Sequence, residues 1–164
     1  MRALEIAMAT EKEGERFYRQ AAEKTEHPKA REMFISLAED EQQHRRWLEE
    51  QEKQLHFKGE WFPYEALPGK RRRMEKGLPI FSSEEVIRDI EKYRSQIPTL
   101  KAGMEMEEKS QVLYTEASDQ CPDEKGKAMF SELAAWEKEH WELLKKEYEF
   151  LLQEYKGSMG FEPF

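Results

Sequence analysis

Two short stretches carry residue types able to hold a metal: Glu41-Gln42-Gln43-His44 and Glu137-Lys138-Glu139-His140. On a helix, residues three apart share a face, so each Glu and its His can reach one point in space. The surroundings of the two pairs also match. Met33, Phe34, Leu37, Ala38, Glu41 and His44 recur as Met129, Phe130, Leu133, Ala134, Glu137 and His140, at a constant offset of 96 residues (137 − 41). The same offset relates Met8, Glu11, Gly14, Tyr18 and Ala21 to Met104, Glu107, Ser110, Tyr114 and Ala117. The chain therefore reads as an internal repeat, each half offering one Glu on a first helix and Glu-x-x-His on a second. A single Glu-x-x-His would be unremarkable in a Glu-rich chain with four histidines. Two at equivalent positions, each with a further Glu, are hard to obtain by accident.

The six residues Glu11, Glu41, His44, Glu107, Glu137 and His140 predict a site for two metal ions. Carboxylates and imidazoles suit iron, with manganese or zinc as substitutes the same donors accept. Four carboxylates carry four negative charges, which two divalent ions neutralise. Without metal they repel, and some are expected to take up protons. Two other readings stay open at this point. Glu11 could lie on the edge of its apolar stripe and reach water, and the whole set could be salt-bridged residues of a metal-free helical module.

The elements that must position these residues are helices. Over 164 residues, hydrophobic and charged residues each make up 38%, with eight Gly and seven Pro. That balance fits one domain of long amphipathic helices rather than a sheet or a disordered chain. A first helix is predicted over about 2–24, with Leu4, Ala7, Met8, Glu11, Gly14, Phe17, Tyr18, Ala21 and Ala22 at three- and four-residue spacings. Thr25-Glu26-His27-Pro28 breaks the chain, with His27 expected to be solvated. A second helix follows to about Gln54. Residues 56–98 form a crossover, the part over about 56–82 without sustained period. Within it, Ser82-Ser83-Glu84-Glu85 reads as a capping box opening an extra helix that Pro98 ends or kinks. The third bundle helix spans about Thr99 to Ser118, and the fourth about Glu124 to Tyr155, ended by Gly157. The expected organisation is one domain, with hairpins over 1–55 and 99–155, the crossover between them, and a tail over 156–164. Two hairpins joined by a long crossover make an all-α, ferritin-like four-helix bundle.

Charge and cysteine usage narrow the function classes. A net charge of −8 and a pI near 5.2 argue against broad nucleic-acid binding. The run Lys70-Arg71-Arg72-Arg73 is short, and reads as a solvated loop or a contact to an acidic partner. A single cysteine, Cys121, excludes an internal disulfide framework and any four-thiolate metal site. No stretch approaches an apolar membrane span, and no signal-peptide h-region opens the chain. The expectation is a cytoplasmic protein.

Around the six residues the chain resembles the rubrerythrin diiron domain family. The resemblance rests on Glu11-Lys12-Glu13-Gly14-Glu15-Arg16-Phe17-Tyr18, on Phe34 through His44, and on their counterparts around Glu107 and Glu137-Lys138-Glu139-His140. It covers both hairpins and implies that Glu41 and Glu137 bridge two irons. Glu11 and His44 would complete one iron, Glu107 and His140 the other, with Tyr18 and Tyr114 hydrogen-bonded to ligand carboxylates. For the tyrosines, an ordinary role as core aromatics is the competing reading. There are two departures from the family pattern. One cysteine cannot supply the two Cys-x-x-Cys pairs of a rubredoxin module. Ser110 stands where rubrerythrins place a further Glu that takes part in ligand exchange between oxidation states.

The first functional expectation is an oxidoreductase of the peroxidase or oxidase type. A reduced iron pair gives two electrons to hydrogen peroxide or O2, and an external donor such as rubredoxin or a flavoprotein restores them. The second is an iron-handling protein in which oxidation serves to load metal. A homo-oligomer is expected, as a dimer in which the long crossover would permit exchanged hairpins.

Overall fold

The computed structural model describes residues 2–69 and 80–160. Among these, six α-helices and a short 3-10 turn occur: α1 Arg2–Lys24, α2 Pro28–Lys58, the 3-10 turn Tyr64–Ala66, α3 Ser83–Arg88, α4 Ile90–Arg94, α5 Gln96–Gln120 and α6 Glu124–Ser158. Helix α1 packs along α2, and α5 along α6. The result is the all-α, ferritin-like bundle of two hairpins and a crossover that the repeat predicts. The basic run at 70–73 lies outside the described residues.

Each bundle helix turns a three- and four-residue stripe inward. On α1 the buried positions include Leu4, Ala7, Glu11, Gly14, Tyr18 and Ala21; on α5 they are Leu100, Gly103, Glu107, Ser110, Tyr114 and Ser118. The charged and histidine positions interrupt each stripe at one level, so the apolar core divides in two. Tyr18, Phe34, Leu37, Leu100 and Leu144 belong to one cluster, while Leu4, Trp47, Tyr114, Phe130 and Leu133 belong to the other. Along all four helices the six polar residues fall between members of the two clusters.

Local chemistry sets the helix ends. Pro28 opens α2, and Gly59 closes it at φ 72° with its N–H on the Leu55 carbonyl. Asp123 caps α6 by accepting from the Lys125 and Gly126 N–H groups. The expected capping box at Ser82 and Glu85 is present. The helix it opens is split at Asp89, whose side chain caps α4 in turn. Helix α4 stops at Arg94, the residue whose carbonyl Pro98 has no N–H to bond, as expected of a stop. Pro98 itself sits in the first turn of α5, where its missing N–H would have had no intrahelical partner. Helix α6 continues through Gly157 to Ser158.

His27 differs from its expected solvation. Its ring is 7% exposed and lies 5.0 Å from Phe81 and 5.8 Å from Tyr93. Its Nδ1 accepts the Ala30 N–H at 3.2 Å, capping α2, and its Nε2 lies 3.7 Å from Glu85. The sequence showed a short polar break there. It did not show that α3 and α4 would supply the cover.

The crossover is fastened at both ends by related residues. The Gln51 amide donates to the Phe62 carbonyl at 2.6 Å and accepts the Phe62 N–H at 2.9 Å. Glu147, 96 residues later, accepts the Ile80 N–H at 2.9 Å. Both side chains are fully buried. Between these points the Trp47 indole N–H and the Gln43 amide both donate to the Pro68 carbonyl. Strapping the crossover down satisfies backbone groups that would otherwise be buried without partners.

Candidate metal centre

Glu11 and Glu107 come from α1 and α5, Glu41 and His44 from α2, and Glu137 and His140 from α6. The structure brings all six together. Their side chains form two groups with donor atoms mutually within 4.8 Å: Glu11, Glu41, His44 and Glu137, and Glu41, Glu107, Glu137 and His140. Glu41 and Glu137 belong to both groups. None of the six is more than 3% exposed, so the reading in which Glu11 reaches water does not hold.

The oxygens of the shared carboxylates divide between the two groups. His44 Nδ1 lies 3.4 Å from Glu41 Oε2, 3.2 Å from Glu137 Oε1 and 3.3 Å from Glu11 Oε2. His140 Nδ1 lies 3.4 Å from Glu41 Oε1, 3.8 Å from Glu137 Oε2 and 3.5 Å from Glu107 Oε1. Each shared carboxylate thus presents one oxygen to each histidine, the disposition a bridging ligand requires. The imidazole rings stack at 5.8 Å between centroids.

Several of these atoms are buried with no hydrogen-bond partner: Glu11 Oε2, both nitrogens of His44, Glu137 Oε1 and His140 Nδ1. Buried polar atoms are nearly always satisfied, and an orphan cluster of this kind calls for an explanation such as an ion. The donor set fits one. Carboxylates and imidazoles facing one another across a shared gap are ligands for iron, manganese or zinc.

Ionisation in the metal-free chain follows from the crowding. Burial, reinforced by the Glu41 charge, pushes the Glu11 carboxyl up to about 8. Burial, with the charges of Glu41 and Glu107, raises Glu137 well above the carboxylate range. Burial also acts to raise Glu41, yet the His140 and His44 rings, each with Nδ1 3.4 Å from one of its oxygens, outweigh it and hold that carboxyl well below its usual range. For His44, burial favours the neutral ring, but the Glu11 charge overcomes it and pushes the imidazole up to about 10. His140 is raised against burial by Glu107 and by hydrogen bonds that include Asp40. Protons on these groups occupy the place of cations.

Five further residues complete the surroundings. The Tyr18 hydroxyl donates to Glu107 and the Tyr114 hydroxyl to Glu11. Each tyrosine thus reaches across from one hairpin to the other, which favours the carboxylate-orienting reading over that of ordinary core aromatics. Gly14 leaves room for Glu41: a Cβ there would lie 3.3 Å from its Cγ. Asp40 was missed by sequence reasoning. Its Oδ2 accepts from His140 Nε2 at 3.2 Å. Helical spacing could have flagged it, since Asp40 lies next to a ligand position and four residues from His44, but a single Asp among 35 acidic residues gives no such signal. Ser110 is buried on α5 one turn after Glu107.

Among the described residues no helix is long and apolar enough to cross a membrane. No curated protein sequence matches the chain. A solved structure of a hypothetical protein from Pyrococcus furiosus is similar, with a TM-score of 0.67 and 25% sequence identity, covering 92% of this chain and 89% of that one. The family model described as Rubrerythrin matches residues 2–148. With that match spanning both hairpins and the buried carboxylate–histidine cluster, the chain belongs to the rubrerythrin family.

Proposed function

We propose that the cluster holds two iron ions and that the protein is a non-haem diiron oxidoreductase. It would reduce hydrogen peroxide or O2 with electrons from an external donor such as rubredoxin or a flavoprotein. The observation that carries this reading is the division of the Glu41 and Glu137 oxygens between two donor groups, each completed by one further Glu and one His. Glu11 and His44 would hold one ion, Glu107 and His140 the other, with Glu41 and Glu137 bridging. When bound, an iron pair supplies two electrons per turnover at a single locus.

The protein residues do the rest. Tyr18 and Tyr114 aim the carboxylates of Glu107 and Glu11 by donating to them. The two apolar clusters above and below exclude water from the ligands, which strengthens every charge interaction inside. Glu11, Glu137, His44 and His140 release their protons as cations enter, since ligands must be deprotonated. No thiol lies among these ligands, and the one cysteine, Cys121, belongs to the cluster containing Trp136. Electrons would come from the external donor.

The test is metal content and an optical spectrum of protein purified without chelators, followed by stopped-flow mixing of the reduced protein with peroxide. Two metal ions per chain and rapid oxidation are expected. A chain that binds no metal, or a reduced iron-loaded chain that peroxide and O2 both fail to oxidise rapidly, would sink the proposal.

A further inference from the structure

Among the places where the repeat is broken, one lies directly behind the two histidines. Asp40, on α2, accepts from His140 Nε2 on α6. The equivalent of Asp40 in the second half is residue 136 (40 + 96), and there the chain carries Trp136. Its ring meets His44 edge-to-face at 5.2 Å. The one polar atom of an indole is a donor, and Trp136 gives it to Glu132 at 3.2 Å. His44 Nε2 is consequently buried with no hydrogen-bond partner, in a residue with no exposed surface.

This difference bears on metal binding. Both histidines turn Nδ1 toward the carboxylates. An imidazole that ligates through Nδ1 must keep its proton on Nε2. For His140 that proton has a carboxylate to receive it, so loss of the Nδ1 proton leaves the ring in the ligating tautomer, and the anion makes it a better donor. For His44 the ligating tautomer leaves an N–H buried without an acceptor, which is costly.

From this we infer that the two halves of the site are unequal: Asp40 is a positioning residue that makes the Glu107–His140 half the one that fills first. The inference rests on the two-metal reading above. Removing Asp40 should weaken the first binding event by roughly 10–100-fold, the usual effect of losing such a partner. The weaker event should change less.

Co(II) serves as the probe, because its visible absorption reports coordination and its anomalous scattering reports position. In the intact chain at one equivalent, Co(II) should concentrate between Glu107 and His140. In Asp40→Asn, which keeps shape and removes the charge, the first event should weaken and occupancy should even out between the halves. Asp40→Glu should recover part of the preference. Far-ultraviolet circular dichroism verifies folding of each variant, and Trp136→Phe provides a folded control in which the preference persists. Equal occupancy in the intact chain, or an Asp40→Asn chain that keeps the preference, would overturn the inference while leaving the two-metal reading in place. Failure of the intact chain to bind Co(II) would overturn both.

Discussion

Removing the metals should leave a protein whose stability falls as pH rises through neutrality. Glu11 holds its proton up to about 8 in the folded chain, against an ordinary value of 4.5. His44 stays protonated to about 10, against 6.5. Both folded values are raised, so the folded state binds more protons than the unfolded state between each pair of values, and stability declines with pH there. The two windows overlap between 6.5 and 8. The two groups face each other and share one interaction, so one excess proton is counted in that overlap, which gives a slope of about 1.4 kcal/mol per pH unit, or about 2 kcal/mol across it. Glu137 and His140 are raised as well and act in the same direction. Glu41 is lowered, and its contribution is lost only as pH falls below the ordinary carboxylate range, outside this window. Native proteins retain only about 5–15 kcal/mol, so a loss of this size is large enough to measure. Thermal unfolding of chelator-treated protein at pH 6.5, 7.2 and 8 measures this. A fall in melting temperature of roughly 5 °C is expected for a domain of this size. Metal-loaded protein, with its ligands already deprotonated, should stay nearly level. Equal melting temperatures with and without metal, or a metal-free chain that gains stability over this range, would refute the reasoning.

Two substitutions probe the surroundings. Tyr18→Phe removes the donor to Glu107 and Tyr114→Phe the donor to Glu11, each leaving a buried carboxylate oxygen without its partner. Each should cost about 1–3 kcal/mol in urea unfolding of the metal-free chain. Co(II) titration should then place the Tyr18→Phe defect on the Glu107 half and the Tyr114→Phe defect on the Glu11 half. Gly126→Ala should destabilise by about 1–3 kcal/mol with metal affinity unchanged. Its Cβ would fall 2.5 Å from Cys121 Sγ and 2.7 Å from the Trp61 ring, at the end of α6 away from the ligands. Chemical denaturation and Co(II) titration of one sample verify both parts.

The ligands were legible in the sequence because helical spacing converts directly into a shared face, and the 96-residue repeat supplied each assignment twice. Glu11 alone reads equally well as an edge residue, but Glu107 at the same offset weakens that reading. Other features depend on contacts between elements remote in sequence. The His27 ring looks exposed in a four-residue break, and its burial arises from Phe81 and Tyr93, more than 50 residues away. Asp40 looks like one more acid on a charged helix, and its partner His140 lies 100 residues further on. Pro98 reads as a stop, and α4 does end before it, but the sequence does not show that it falls in the first turn of α5. Local pattern fixes faces and caps; pairing across the bundle is invisible to it.

The repeat also separates what two metals would demand from what one chain can vary. Bridging by Glu41 and Glu137 requires two equivalent helices, and the terminal ligands and their tyrosines must follow the same pseudo-symmetry for both halves to close. Those positions all keep the same residue at both ends of the 96-residue offset. Gln51 and Glu147 keep position and burial while differing in charge, because each need only hold a backbone group of the crossover. Asp40 and Trp136 differ outright, and they are the pair whose difference leaves one histidine backed by a carboxylate and the other against an indole. A strictly repeated sequence would give two like histidines with nothing in their backing to tell one half from the other. A chain that varies behind its ligands keeps a complete donor set while giving the two halves unlike backing, and an order of filling is the expected consequence.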